Sequence, residues 1–449
     1  MIVLSIILSA LLSVTSGTSC VKNQNDEGHK LTDLQLDKQS LTLEIGQSEE
    51  VQVKAVPAAV NEVNYQWSSA NENVAVVSNG MVTAVSEGAT TVTVSYKSVH
   101  KTVLVKVNAP EIDTTLAGLF DKRLSSVQQS ELILNEAAHY TPQGLNITGT
   151  ANTVRLNKFY ALAERKVQYH IKLSADAKAV FHSSEKDFSA YVDVVNKKIS
   201  IATSPATEKK VAFLQGNREY IVEIYHVYQE SRLRIIDVQT LEHAEISAIN
   251  DGQGGVGKGA LQPGFGVGMQ WDYYCFGLAA GTGMQVKRIT VYALKKKVKL
   301  LMYGDSITQP EGYFPSKDFP LAWTQQVIGR LNGNAMSSGR GGGQIDMVMN
   351  YIKNELPFIK ADYVMVTIGT NGGNTEAKLR ELVNYIKSQG AIPILNNIPS
   401  NESGTQVAEN NLISKVRADV NIKGCQFDLP TSVNGDGKEV DKATMYWED

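Results

Sequence analysis

Histidine is the residue this chain runs out of first. Its seven histidines all fall at or before His243, so the rest of the 449-residue sequence has none. A serine nucleophile at neutral pH needs a group to take its proton, and histidine fills that role most often. Cysteine is scarce as well, with three in all: Cys20, Cys275 and Cys425. So few thiols build no disulfide framework, and Cys275 and Cys425 are expected to be buried small hydrophobes. CxxC, HExxH and any His/Cys cluster at ligand spacing are missing, which leaves no indication of a structural metal or a cofactor. Charge of either sign is also not in excess: 43 Lys plus Arg stand against 46 Asp plus Glu, a formal net of −3. No basic stripe points to nucleic acid, and no polyacidic tail points to disorder.

Long apolar runs are rare, and the exception stands at the front. Met1 to Val14 is almost wholly apolar, followed by Thr15-Ser16-Gly17-Thr18-Ser19 and then Cys20. That run is too short for a bilayer core about 30 Å thick but suits the apolar part of a signal peptide. A cysteine directly after small residues resembles a bacterial lipoprotein signal. The resemblance implies lipidation at Cys20, a mature N-terminus there, and an outer-membrane or cell-surface protein held to the membrane only by its lipid. Plain secretion or periplasmic release is the alternative, since no Lys or Arg precedes the run and Gly17 stands where such signals carry Leu. Export is expected either way.

The length suits two to four domains. Residues 21–30 form a polar tether. From residue 31 to 108 the pattern is strand-like, as in Leu41-Thr42-Leu43-Glu44-Ile45 and Val92-Thr93-Val94-Ser95-Tyr96, with Gly46, Pro57, Gly80 and Gly88 as punctuation. Tyr65-x-Trp67-Ser68-Ser69, Val74-Ala75-Val76-Val77, Gly80-x-Val82-Thr83-Ala84 and Gly88-x-Thr90-x-Val92-Thr93-Val94 resemble the bacterial Ig-like (Big-2) module, which implies a β-sandwich spacer. Residues 114–297 again alternate at period two, in Val167–Leu173, Phe188–Val194, Tyr220–Tyr225, Ser231–Asp237 and Gln285–Tyr292. Antiparallel β with few helices predicts a jelly-roll-like domain, loosely similar to concanavalin-like carbohydrate-binding folds. His170 is expected to be structural. The Gly-rich stretch Asp251 to Gly268 and the adjoining Trp271-Asp272-Tyr273-Tyr274 either line a sugar site or pack over core aromatics. Gly252, Gly257 and Lys258 mimic part of a phosphate loop, but Gly259 replaces its Ser/Thr and Pro263 follows, so nucleotide binding is rejected.

From Val298 to Asp449 the period changes. Apolar runs at Leu300–Tyr303, Asn334–Ser337, Tyr363–Ile368, Ile392–Asn396 and Gln426–Leu429 alternate with helical patterns at Leu321–Leu331, Ile345–Asn354, Glu376–Ser388 and Val407–Val420. Such alternation predicts a parallel sheet covered on both faces, with ligands at the carboxyl ends of its strands. Ser306, Gly339 and Asn371 each follow a predicted strand.

Gly304-Asp305-Ser306, Gly339, Gly369-Thr370-Asn371 and the terminal Asp449 resemble, in order, the four blocks of the SGNH (GDSL-type) hydrolases. The resemblance implies a three-layer α/β fold with Ser306 as nucleophile. It also implies an oxyanion hole from the Ser306 and Gly339 amides and the Asn371 side chain, and Asp449 as the aspartate of an Asp-x-x-His block. The sequence carries no histidine three residues beyond Asp449, so the chain is expected to be incomplete and impaired as given. GxSxG is absent, which argues against the α/β-hydrolase fold. The expected activity is hydrolysis of an O-acyl, chiefly acetyl, ester on a carbohydrate. The alternative is a non-catalytic carbohydrate-binding or adhesive surface protein with an inert hydrolase-like domain.

Overall fold

In the first unit the valine-rich alternation is spent on a hairpin. Gly88–Tyr96 pairs antiparallel with Val99–Asn108, and Val92, Val94, Val103, Val105 and Val107 all turn inward and are buried. Ser40–Glu44 adds in parallel to Val99–Asn108, while Gln66–Ser69 closes the other edge. A second sheet of Ser48–Glu50, Met81–Ala84 and Ala75–Ser78 contributes Val82, Ala84 and Ala75 to the same core. Gly80 joins the two halves of the sequence pattern. Its φ is +86°, and a Cβ there would stand 2.9 Å from the Val51 carbonyl oxygen and 3.4 Å from the Trp67 ring. Only glycine fits that left-handed, crowded corner.

The structure, a computed structural model, describes residues 31–58, 64–108, 113–124, 131–150, 153–183, 188–203, 206–249, 274–309, 311 and 316–443. The chain divides into two compact units, parting between Ala109 and Pro110. The second unit begins with two antiparallel sheets. One runs Ala138–Thr141, Gly144–Ile147, Met284–Ala293, Glu164–Leu173, Arg218–Val227, Glu230–Asp237 and His243–Ile249, with Ala117–Arg123 also on Met284–Ala293. The other runs Leu132–Ile133, Val154–Leu156, Tyr274–Ala280, Lys178–Ser183, Ser189–Asp193, Lys198–Ile201 and Thr207–Lys210. Val167, Tyr169, Ile171 and Leu173 are the inward residues of one strand, and Tyr169 meets Phe181 at 4.8 Å and Phe276 at 5.4 Å between ring centres.

A four-stranded parallel sheet follows, in the order Ala335–Gly339, Lys297–Gly304, Lys360–Thr367, Ile392–Leu395. Among the described residues four α-helices accompany it: α1 (Trp323–Arg330), α2 (Ile345–Glu355), α3 (Glu376–Ser388) and α4 (Gln406–Asp419). α3 shows why its residues are helical. Leu379, Leu382, Val383 and Ile386 fall at i, i+3, i+4 and i+7 and are all buried. Thr375 caps the helix by accepting from the Lys378 amide at 3.2 Å, and Gly390 at φ +80° ends it. Such a cap contributes about 1 kcal/mol. One face of the sheet, with Leu300, Met302, Ala335 and Met365, packs on Trp323, Val327 and Ile328 of α1.

The predicted fifth strand at Gln426–Leu429 does not form. Only two isolated parallel bridges, Ile394↔Lys423 and Asn397↔Gln426, mark its place beside Ile392–Leu395. Between them the Asn396 side chain accepts from the Cys425 amide at 2.9 Å. Asn397 then donates to both Asp428 carboxylate oxygens at 3.0 Å. The Asn396 side chain thus takes up an amide that a ladder would use. Cys425 is also exposed, against expectation, because it sits on this bridged loop, whereas Cys275 lies in a strand and is buried.

The edge strand Ala335–Gly339 is covered by the sandwich. Ala163 donates its amide to the Ser337 carbonyl at 2.9 Å, and Leu162 bridges Ser338 in antiparallel sense. Asn354 reaches the Phe159 carbonyl at 3.0 Å, and Lys295 reaches both Glu164 and the Ala335 carbonyl, at 2.7 and 3.1 Å. Sandwich and α/β layers therefore share one continuous core. Nearby, Gln229 donates to the Glu311 backbone carbonyl at 3.1 Å.

The Glu311 side chain is buried, and its Oε2 has no hydrogen-bond partner among the described residues. Burial pushes its pKa from 4.5 up to about 7, against the opposing pull of its own backbone amide and of Arg165. A carboxyl with a raised folded pKa contributes stability that is complete below its unfolded pKa and lost as pH rises through the folded one. The window here is pH 4.5 to about 7. Glu311→Gln cannot ionise. Urea unfolding at pH 5 and pH 8 should show the wild type losing roughly 3 kcal/mol relative to this variant over that interval. Parallel pH dependences for the two proteins would refute the assignment.

Candidate active site

The register of the parallel sheet aligns the three sequence blocks. Gly304 stands opposite Gly339 on one side and Thr367 on the other, so the strands end in one rank. Asp305-Ser306, Gly339-Arg340 and Gly369-Thr370-Asn371 thereby meet at the carboxyl edge, where open parallel sheets bind ligands.

Ser306 sits on a tight turn that folds back across this rank. The Asp305 carboxylate accepts from the Ile307 amide at 3.0 Å, and the Thr308 and Gln309 amides donate to the Asp305 and Ser306 carbonyls at 3.1 Å. Trp323 fixes the far side by donating to the Ile307 carbonyl at 2.6 Å. The turn lies so close to the strand ends that two glycines are required. A Cβ on Gly304 would collide with the Thr308 hydroxyl, and one on Gly339 would stand 2.8 Å from the Gln309 nitrogen. The Arg340 amide and the Tyr351 hydroxyl both donate to the Gly304 carbonyl, at 3.1 and 2.8 Å. Ser306 is left half-buried.

Asn371 is held from the α2 side. Its side-chain amide donates to the Gly343 carbonyl at 2.9 Å, and its own carbonyl accepts from Gln344 at 2.8 Å. A primary amide has two hydrogens, and the Gly343 carbonyl takes one of them. Asp305 is almost completely buried, and its pKa rises from 3.8 to about 6 because burial outweighs the Ile307 and Thr370 hydrogen bonds that lower it. This turn-holding role escaped sequence reasoning, although the Asp of Gly-Asp-Ser was its signal. Glu355 and Ser338, whose side chains bond at 2.7 Å behind Gly339, escaped it too.

No side chain among the described residues hydrogen-bonds the Ser306 hydroxyl, and none of the described histidines belongs to the α/β half. His170 pairs with Glu219 at 2.7 Å, as a structural residue would, and His182 bonds Thr153 at 2.9 Å. Among the described residues no group of three or more His, Cys, Asp or Glu is placed to hold a metal ion. Asp449, Cys20, the Asp251 to Gly268 stretch and Trp271-Asp272-Tyr273 lie outside the described residues. Tyr274 is buried, 6.3 Å from Tyr160 between ring centres, and so belongs to the core.

Residues 31–107 match the family model of the bacterial Ig-like domain (group 2). No curated protein matches the chain. Among solved structures, the VIP36 exoplasmic/lumenal domain in its Ca²⁺/Man3GlcNAc-bound form is similar at 8% identity and a TM-score of 0.29, covering 41% of this chain and 91% of its own. Arcelin-5, a lectin-like defense protein from Phaseolus vulgaris, is similar at 11% identity and a TM-score of 0.30, covering 40% and 98%. Domains 4 and 5 of the S-layer protein SbsC are similar at 24% identity and a TM-score of 0.16, covering 17% and 52%. The one family that these comparisons assign is thus the bacterial Ig-like domain of the N-terminal unit.

Proposed function

We propose that the α/β half is a serine ester hydrolase of the SGNH type that removes O-acyl groups, acetyl foremost, from a carbohydrate. The observation that carries this reading is the rank of Gly304, Gly339 and Thr367, which gathers Ser306, the Gly339 amide and Asn371 at one sheet edge. The Ser306 oxygen would attack the acyl carbon. The carbonyl oxygen would take the negative charge between the Ser306 and Gly339 amides and the second amide hydrogen of Asn371. Each aimed donor contributes about 3–4 kcal/mol in the transition state. A base takes the Ser306 proton during attack, collapse breaks the bond between the acyl carbon and the sugar oxygen, and the base hands that proton to the departing sugar oxygen; water, giving a proton to the same base, then cleaves the acyl-enzyme to the free acid and restores the Ser306 hydroxyl. Asp449 would orient the base in this scheme.

A second reading, a non-catalytic carbohydrate-binding surface protein, is favoured by the absence of a base beside Ser306 among the described residues. Added imidazole separates the two, since a small base can stand in for a missing side chain. With an acetylated xylan as substrate, imidazole should raise the rate of acetate release by the full chain at least tenfold over the imidazole-only control. Ser306→Ala should release acetate at the control rate. Equal rates for the two proteins, with retention on the polysaccharide in affinity electrophoresis, would decide for the binding protein.

Export with a lipid at Cys20 is the companion proposal. In cells, the protein should fractionate with membranes, and Cys20→Ala should move most of it to the soluble fraction. An unchanged distribution would instead indicate plain secretion.

A further inference from the structure

Glu355 is a wholly buried carboxyl group, and its three donors come from two separate parts of the fold. It is the last residue of α2. Its Oε1 accepts from the Ala161 amide at 2.6 Å and the Leu162 amide at 3.2 Å, both in the sandwich. Its Oε2 accepts from the Ser338 hydroxyl at 2.7 Å. Ser338 immediately precedes Gly339, and the Leu162–Ser338 bridge lies between the two sets of donors. A single side chain therefore binds the sandwich segment, the end of the edge strand and α2.

Removing a carboxylate from water costs several kcal/mol, and neutral residues of similar size pack such seams at less cost. A buried charge kept at that expense is best attested where it specifies one arrangement among near alternatives. The arrangement at stake here is the height of the Ser338–Gly339 peptide above the sheet edge. Gly339 is pressed against the Thr308–Gln309 backbone, with room for no Cβ, so any slide of this strand end also shifts the turn carrying Ser306.

We propose that Glu355 is a positioning residue: it fixes the Gly339 amide by clamping Ser338 to the Ala161–Leu162 segment. The proposal rests on the reading of Ser306, Gly339 and Asn371 as an ester-hydrolysing site. Charged and titratable groups face Glu355 from every packed element: Arg165, Tyr160 and Tyr274 from the sandwich, Tyr303 from the central strand and Tyr351 from its own helix. Burial holds all four tyrosines above their ordinary value, so they stay neutral near pH 7. Burial likewise lifts Glu355 from 4.5 to about 7, while Ser338, the Ala161 and Leu162 amides and Arg165 pull the other way. Glu355 thus changes charge near neutrality, and that change can be followed at Gly339.

The test uses the full chain labelled with ¹⁵N-glycine, comparing wild type, Glu355→Gln and Ser306→Ala. The Gly339 amide resonance should titrate with a midpoint near pH 7 in the wild type and in Ser306→Ala, and should lose that titration in Glu355→Gln. Glu355→Gln keeps an acceptor oxygen, so its circular dichroism should match the wild type. Its kcat for acetate release with imidazole should fall about tenfold, with KM within twofold. A Gly339 titration that survives in Glu355→Gln, or that is absent from the wild type, overturns the proposal. Loss of the titration in Glu355→Gln without hydrolysis by any of the three proteins would uphold the clamp and remove the esterase reading.

Discussion

The whole site depends on how one edge strand is covered. A parallel sheet's outer strand presents a row of unpaired backbone groups, and proteins must pair, cover or charge such an edge. Here the strand Ala335–Gly339 is covered by the sandwich, through the Ala163–Ser337 bond and the Leu162–Ser338 bridge. The same strand carries Gly339, so its covering and the proposed oxyanion donor are one structural problem. The sandwich is then part of the α/β half's architecture, and the shared core from Phe159 to Tyr351, whose rings meet edge-on at 5.2 Å, expresses the same dependence.

Space, more than hydrogen bonding, decides which residues can stand at the strand ends. The Ser306 turn presses on Gly304 and Gly339 at distances that leave no room for a side chain. Asn371 is aimed from the other direction by Gly343 and Gln344 at the start of α2. α2 therefore touches the site at both ends: Gln344 and Gly343 orient Asn371, and Glu355 reaches Ser338. Preorganised donors stabilise developing charge because they need no reorganisation at the moment of reaction, and rigid elements supply that better than loops.

Much of this was legible in the sequence, and for identifiable reasons. Strands buried on both faces show as short apolar runs, so Leu300–Tyr303 and Tyr363–Ile368 stood out, and the helical pattern at Glu376–Ser388 coincides with α3. The Ig-like pattern was legible because Gly80 and Trp67 meet in space and only glycine fits. Gln426–Leu429 misled because an apolar-looking run says nothing about whether a side chain such as Asn396 will take the Cys425 amide and interrupt the ladder. Glu355 was not legible at all. Its donors Ala161 and Leu162 lie 194 and 193 residues away in sequence, and an acidic residue ending a helical pattern looks like a solvated one.

The distribution of protons near neutrality makes the last point. Asp305, Glu311 and Glu355 are lifted by burial to about 6, 7 and 7, and all three lie in the half that has no histidine. Carboxyls with such pKa values would ordinarily be assigned as acid and base, since enzymes tune carboxyl groups upward for that purpose. Geometry argues against it, because a base must stand within hydrogen-bond reach of the proton it removes. Asp305 is committed to the Ile307 amide and Glu355 to Ser338 and the sandwich, Glu311 Oε2 has no hydrogen-bond partner among the described residues, and none of the three hydrogen-bonds the Ser306 hydroxyl. Burial alone raises their pKa values, and the hydrogen bonds that hold the turn and the strand end pull the other way. In this chain Asp305 and Glu355 hold the turn and the strand end that frame the site, and neither is placed to act on the Ser306 hydroxyl.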